Sequence, residues 1–273
     1  GGAMDPTMGR VIRLWDIDGE NPHIPSDDEL NSLLENVGYD KVTLDGNKVN
    51  MPEGVTLDLG AAGKGIGCDA AQKILDADKN VSGMILNLGG SSVMSYGSKP
   101  DGSAWQVAVT DPRDTEGDYL GVVTLNGTEF LSTSGDYEKY FIEDGVRYHH
   151  ILDPATGYPA RSGLTSVTVV CDDGLNADGL STACFVLGKE KAEELIRYLS
   201  TDQPVGNSPL TCQIVSIEKK KEKKKNQMFH KLPILKFFLE NTFHLFGCRV
   251  HGKNDSLGVH EESSAGSVRY PVF

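Results

Sequence analysis

The chain has no apolar run long enough to cross a bilayer as a helix. Its longest apolar-rich stretch, Leu232 to Phe246, is broken by Lys236, Glu240 and His244, so a spanning helix is excluded. It has no Cys-x-x-Cys pair. Five cysteines stand at 68, 171, 184, 212 and 248, an odd number that argues against a zinc ribbon or a disulfide framework. Cys171 and Cys184 lie among apolar residues and are expected to be buried free thiols. There is no Gly-X-Y period behind the 31 glycines and 12 prolines, which excludes collagen. Gly1 to Thr7 lacks the basic and apolar regions of a secretory signal. Basic residues are scarce in the main body: Gly1 to Gln213 holds 15 Lys and Arg against 33 Asp and Glu, within an overall charge of −13. Such an acidic body argues against nucleic-acid binding without metal help and suits a divalent cation or a basic partner.

What is present fits one large domain or two small ones, since the chain has 273 residues. The composition changes near residue 218. Glu218 to Lys225 is a nearly pure charge block, of the kind that is usually solvated or disordered. It is followed by an aromatic-rich stretch, Phe229 to Phe246, and a polar end. Ile214 to Phe273 carries 11 basic against 6 acidic residues and four of the seven histidines, at 230, 244, 251 and 260. These histidine spacings fit no metal signature. Leu232 to Phe246 could lie on a membrane surface as an amphipathic helix.

Before residue 218 the pattern alternates between helix and strand. Helices are expected over Asp28–Val37, Gly65–Asp78 (with Ala70, Ala71, Ile74 and Leu75 inward), Asn176–Leu187 and Lys189–Leu199. A hairpin is expected over Lys41–Asn50 about Asp45-Gly46. Strands are expected at Thr56–Leu59, Gly83–Leu88, Ala104–Thr110 and Ser166–Val170, and at Leu120–Leu125 and Glu129–Thr133 across an Asn126-Gly127 turn. No parallel βαβ series is maintained, so the fold class is α+β rather than doubly wound.

Five segments carry chemistry. Asp58-Leu-Gly-Ala-Ala-Gly-Lys64-Gly-Ile-Gly67 runs from a strand end through a glycine-rich turn into a helix. It could cradle a phosphate on helix N–H groups with Lys64 adding charge, or be a plain strand-to-helix turn. It matches neither the Walker A spacing nor G-x-G-x-x-G. Asn87-Leu-Gly-Gly-Ser-Ser92 reads as a tight turn or a close backbone approach. Ser132-Thr-Ser-Gly-Asp136-Tyr-Glu-Lys-Tyr-Phe141 offers small hydroxyls that cap a turn or touch a ligand. Tyr148-His-His150-Ile-Leu-Asp-Pro-Ala-Thr-Gly157 runs a histidine pair into a rigid turn, structural or a general base. In Asn176-Ala-Asp178-Gly-Leu-Ser-Thr182, Asp178 and Thr182 share one helix face. They are hard oxygen ligands suited to Mg²⁺, or Asp178 is a helix cap.

In this order and spacing the five segments resemble the ApbE family, the FAD:protein FMN transferases. That family's pattern is D-L-G-G-x-A-K-G, N-L-G-G, S-T-S-G-D-Y-x-x-Y-F, H-H-I-I/L-D-P-x-T-G-x-P and A-D-x-x-A/S-T-A. Asp5-Pro-Thr-Met-Gly9 with Leu14-Trp15 is similar to its D-P-T-x-G…L-W segment. The likeness runs from about Gly2 to about Leu199. It implies an ApbE-like (T-fold-like) α+β fold of mixed sheets and packed helices in a single domain, residues 1–217, followed by a basic tail, 218–273, unrelated to the family and expected to be disordered. It implies Mg²⁺-dependent transfer of the FMN half of FAD to a threonine hydroxyl of a target flavoprotein, with release of AMP. FAD hydrolysis to FMN and AMP, or flavin binding without catalysis, are the alternatives. By motif position, Asp58 and Lys64 fall on flavin-nucleotide positions. The Ala61 carbonyl, Asp178 and Thr182 fall on Mg²⁺ ligand positions. His150 falls on the motif histidine, a base or phosphate contact, and Asp136 is a further candidate near the site.

Ala61 stands where the family has glycine, and Ser181 where alanine is common. The resemblance also implies acceptors among subunits of Na⁺-pumping NADH:quinone reductase or Rnf-type complexes, and a lipoprotein location on the outer side of a bacterial inner membrane. Family chains begin well before the Asp-Pro-Thr segment. The expectation is therefore an N-terminally incomplete domain with an opened flavin pocket and an unpaired sheet edge. Cys212–Ile217 is expected to supply the closing strand.

Overall fold

The computed structural model describes residues 1–113, 119–201, 204–205, 208–209, 211–218, 243–246 and 250–252. Helix α1 (Gly9–Trp15) leads into α2 (Asp27–Leu34), which opens on a capping box between Ser26 and Glu29. A small hairpin follows, β1 (Thr43–Asp45) and β2 (Lys48–Asn50), about the expected Asp45-Gly46 turn. Then come α3 (Gly63–Ala77), β3 (Gly83–Leu88), β4 (Ser92–Gly97), β5 (Trp105–Thr110), β6 (Tyr119–Leu125) and β7 (Glu129–Gly135). A second hairpin, β8 (Tyr140–Glu143) and β9 (Val146–His149), precedes β10 (Leu164–Cys171), α4 (Gly174–Leu187) and α5 (Lys189–Thr201). The chain ends with the short pair β11 (Pro204–Val205) and β12 (Ser208–Pro209), then β13 (Gln213–Glu218), β14 (Phe243–Phe246) and β15 (Val250–Gly252).

The centre is an antiparallel six-stranded sheet in the order β14-β13-β10-β7-β4-β3. All eight residues of β10 are buried, because layers cover both of its faces. On one face Val167, Val169 and Cys171 join Phe130 and Met94 against Ala177, Cys184 and Phe185 of α4 and Ile196 of α5. On the other, Val170, Leu131 and Val93 pack on Val109, Val123 and Leu125 of the β5–β6 pair. The period of two in a strand makes this division: even-numbered positions of β7 look toward the helices and odd-numbered ones away. A third cluster holds α1 and α2 against the β8–β9 hairpin and the following turn, around Trp15, whose Nε1 donates to the Gly157 carbonyl at 2.7 Å.

Several expectations are corrected. Thr56–Leu59 is no strand; Thr56 makes a single parallel bridge to Met8. Ile74 is 70% exposed, because α3 packs along Gly65, Cys68 and Leu75 and Ile74 lies about a quarter turn from that stripe. Ala70 is exposed too. The Asn126-Gly127 turn closes no hairpin: β6 pairs with β5, whereas β7 pairs with β4 and β10. Both strands bury apolar faces toward one another, so the turn carries the chain from one sheet to the next. Cys171 is not a free thiol but is bonded to Cys212; the two stand opposite each other where β10 and β13 pair, next to the Val170–Gln213 pair. Cys184 is a buried free thiol as expected, and so is Cys68. Of the tail, β14 extends the central sheet beside β13, and β15 pairs with β6. Residues 219–242, 247–249 and 253–273, on which most of the expected disorder and membrane-surface helix fall, lie outside the described residues. Among the described residues no helix is long and apolar enough to cross a membrane.

Candidate active site

Two glycines set the geometry. A Cβ on Gly65 would lie 2.0 Å from the Gly174 carbonyl, and one on Gly174 would lie 2.3 Å from the Gly65 carbonyl. Only glycine at both positions lets the first turns of α3 and α4 touch backbone to backbone. At that crossing the helices cap each other. The Gly65 N–H, one of the donors left open in the first turn of α3, donates to Asp178 Oδ2 of α4 at 2.9 Å. In return Asp69 of α3 accepts from the N–H groups of Gly174 at 2.6 Å and Leu175 at 3.0 Å. The capping reading of Asp178 is therefore realised across helices, and only on one of its oxygens.

Its other oxygen faces the sheet. Ser132 donates to Asp178 Oδ1 at 2.6 Å and Ser92 at 3.1 Å. One helical turn on, Thr182 Oγ1 lies 3.1 Å from Ser134 Oγ, which is also 2.8 Å from Ser181 Oγ. Asp178 is 7% exposed, and among the described residues no Lys, Arg or His pairs with it. Its donors are all neutral, so it lacks the cationic partner that a buried carboxylate ordinarily has. Nor is there, among the described residues, a group of three or more His, Cys, Asp or Glu side chains that could hold a metal; the donors gathered here are hydroxyls and one carboxylate.

Lys64, next to Gly65, donates to Ser91 Oγ at 2.6 Å. This links the glycine-rich start of α3 to the turn at Gly89 and Gly90, both with positive φ (66° and 79°). Ala61 lies in the turn just before α3, and Asp58 Oδ1 closes that turn on the Gly60 N–H at 2.8 Å. Lys64, Ala61, Asp178 and Thr182 thus belong to one end of the α3–α4 pair. Asp136 and His150 belong to the neighbouring loop structure. Asp136 follows β7 directly, is buried, and pairs with Arg147, whose Nη1 lies 3.5 Å from Oδ1 and donates to the Asp136 carbonyl at 3.2 Å. His150 Nδ1 faces the Lys139 carbonyl at 3.2 Å. A carbonyl only accepts, so Nδ1 carries the proton and a neutral ring presents a bare Nε2. Burial lowers the pKa of His150, partly offset by that hydrogen bond, and favours the neutral ring.

Its neighbour His149 is structural. Its Nε2 donates to the Ala160 carbonyl at 3.0 Å, its ring meets Phe185 edge-on, and burial pushes its pKa down to about 4. A cavity of about 540 Å³ lined by Arg10, Arg13, Leu14, Glu29, Ser32, Leu33 and Thr56 shares no residue with the hydroxyl cluster. The sequence reading did not assign Ser92, Ser132 and Ser134 to Asp178 and Thr182. The available signal was the alternation of hydroxyls at 132 and 134 beside a carboxylate and hydroxyl four apart.

The family model that matches this sequence is that of the ApbE family, over residues 1–204. The chain belongs to the ApbE family. Among ApbE relatives, the FAD:protein FMN transferase of Treponema pallidum is 37% identical over 212 residues, which is 72% of this chain and 58% of that protein. The ApbE protein of Thermotoga maritima, a solved structure, matches with a TM-score of 0.67 at 39% identity, covering 79% of this chain and 67% of that one. The apo flavinyl transferase ApbE of Pseudomonas stutzeri matches with a TM-score of 0.66 at 31% identity, covering 81% and 65%. The expected single-domain α+β architecture is that of these ApbE structures. The chain spans a little under three-fifths of the length of the curated relatives it matches.

Proposed function

We propose that this chain transfers the FMN half of FAD to a threonine hydroxyl of a flavoprotein target and releases AMP. The observation that carries the reading is the buried Asp178 carboxylate, without a cationic partner among the described residues and ringed by hydroxyls. It stands where a glycine-rich helix start and Lys64 meet. The relatives named FAD:protein FMN transferase support it.

The donor set fits Mg²⁺, since hard oxygens of carboxylate, hydroxyl and carbonyl type are what that ion takes. Asp178, Thr182 and the Ala61 carbonyl would hold it. Bound there, it would supply charge neutralisation at the FAD pyrophosphate. The chain's own residues do the rest. The Lys64 ammonium, with the positive end of the α3 dipole beside it, attracts the pyrophosphate. Gly89 lies beside the Lys64 ammonium, where a Cβ would stand 3.6 Å from Nζ. Asp58 and Lys64 bind the flavin nucleotide. The threonine oxygen forms a bond to the FMN phosphorus as the bond to the AMP oxygen breaks. His150 Nε2, unprotonated when Nδ1 is held by Lys139, takes the hydroxyl proton. Asp136, clamped by Arg147, shapes the loop that carries Lys139.

The acceptors proposed are flavin-carrying subunits of Na⁺-pumping NADH:quinone reductase or Rnf-type complexes. Residues 1–217 form the catalytic unit. The proposed location is the outer side of a bacterial inner membrane, and the Cys171–Cys212 bond supports an oxidising compartment. The test is to mix the purified chain with FAD, MgCl₂ and an acceptor domain and to weigh the acceptor intact. A gain of one FMN unit, absent for a Thr-to-Ala acceptor, is expected. FMN and AMP appearing without any acceptor would replace transfer with hydrolysis. Intact FAD would end both readings for this chain.

A further inference from the structure

Strand β7 and helix α4 meet with matched periods. Ser132 and Ser134 are two apart in a strand and face the helices, and two strand steps advance about 6.6 Å. Asp178 and Thr182 are four apart on α4, and four helical steps advance about 6.0 Å. The near-equality pairs them one to one: Ser132 with Asp178 at 2.6 Å, and Ser134 with Thr182 at 3.1 Å. Ser92 of the next strand adds a second donor to the same Asp178 oxygen at 3.1 Å.

We propose that Ser132 and Ser134 are positioning residues that orient the two side-chain ligands of the cation site, with Ser92 supporting Ser132. The inference rests on the reading of Asp178 and Thr182 as ligands of a divalent cation. A carboxylate offers about four acceptor positions. Ser132 and Ser92 occupy both positions on Oδ1, and Gly65 occupies one on Oδ2. The position left over is on Oδ2, so the serines select which oxygen of Asp178 meets the ion. Ser134 does the corresponding work for Thr182: a hydroxyl hydrogen directed at Ser134 turns the Thr182 lone pairs outward, and Ser134 can pass its own hydrogen to Ser181, which donates to the Asp178 carbonyl at 2.9 Å. Outer partners of this kind set ligand geometry and typically carry a large part of metal affinity.

Thr133 supplies the control. It lies between the two serines on the opposite face of β7, and its hydroxyl bonds Thr168 at 2.8 Å. Thr133→Ala therefore removes one hydroxyl contact from the same strand without touching Asp178 or Thr182.

The experiment measures Mn²⁺ binding to the purified chain by electron paramagnetic resonance, alongside the melting temperature of each variant. Ser132→Ala and Ser134→Ala are each expected to weaken Mn²⁺ binding about 10-fold or more, and Thr133→Ala to leave it within about twofold of wild type. In turnover assays the two serine variants are expected to need more MgCl₂ and to regain kcat when it is raised, which loss of fold would not allow. If Ser132→Ala does not fold, Ser92→Ala reads the same oxygen. Mn²⁺ binding by the serine variants equal to that of Thr133→Ala would overturn the inference while leaving the cation reading standing. Absence of Mn²⁺ binding by the wild-type chain would overturn the cation reading and this inference with it.

Discussion

His149 ends β9 and His150 follows it, and the two meet different fates. His149 is 1% exposed, with Nδ1 making no hydrogen bond among the described residues and its pKa pushed down to about 4 from 6.5. Between those two values the unfolded chain binds a proton that the folded chain refuses, so stability rises with pH across the window. The contribution is complete above about pH 6.5 and is lost as pH falls toward 4, up to about 3 kcal/mol. Melting curves between pH 7 and 4 should show this slope, and His149→Gln should flatten it by about one proton. An unchanged slope would place the titration elsewhere. His150, half-buried and held at Nδ1, shifts in the same direction. A neutral His150 near neutral pH is what a proton acceptor requires, so His150→Ala should lower kcat by about 100-fold or more and His150→Asn should not restore it. Rates within a few-fold of wild type would exclude His150 as the base. The histidine pair itself was plain in the sequence. Which of the two is buried was not, because it depends on Phe185 arriving from α4 and on how the turn after β9 brings Ala160 back.

At the scale of elements, the α3–α4 crossing governs the site. Gly65→Ala places a methyl group 2.0 Å from a backbone carbonyl that has no rotamer to escape into. Overpacking of this kind costs about 3 kcal/mol, and the displacement also breaks the Gly65–Asp178 bond. Urea unfolding should show a lower midpoint with unchanged slope, and divalent-cation binding should fall more than the midpoint implies. Binding that tracks stability alone would mean the crossing is only structural. Local signals made α2, the β1–β2 hairpin, β3, β10 and α4 legible: the Ser26–Glu29 box, the Asp45-Gly46 turn, and apolar runs between breakers. Legibility failed where a partner element decides. Ile74 has helical spacing but stays exposed. The Asn126-Gly127 turn has hairpin chemistry, yet its strands prefer different sheets. The motif residues of the site were legible one segment at a time. Their pairing with Ser132 and Ser134 was hidden, because an alternating strand does not announce which helix will cover it.

For the whole molecule, the most consequential feature that spacing could not reveal is the Cys171–Cys212 bond. The two cysteines are 41 residues apart, and cysteine spacing alone does not determine connectivity. They meet because β10 and β13 pair antiparallel with Val170 opposite Gln213, which brings their Cα atoms to 4.4 Å. The loop so closed contains all of α4 and α5, and hence Asp178 and Thr182. Closing a loop of this length restricts the unfolded chain by about 4 kcal/mol on the chain-entropy account. For a chain of this size that corresponds to a fall of roughly 10 °C in melting temperature when the bond is reduced or when both cysteines become alanine. The bond also ties β13 into the sheet on which α4 rests, so its loss should loosen the site from the sheet side while the α3–α4 crossing persists. Mass spectrometry of an unreduced digest should find the peptides containing Cys171 and Cys212 linked. A melting temperature indifferent to reductant, with unlinked peptides, would show that the pair is held as thiols, and would remove the argument for an oxidising compartment.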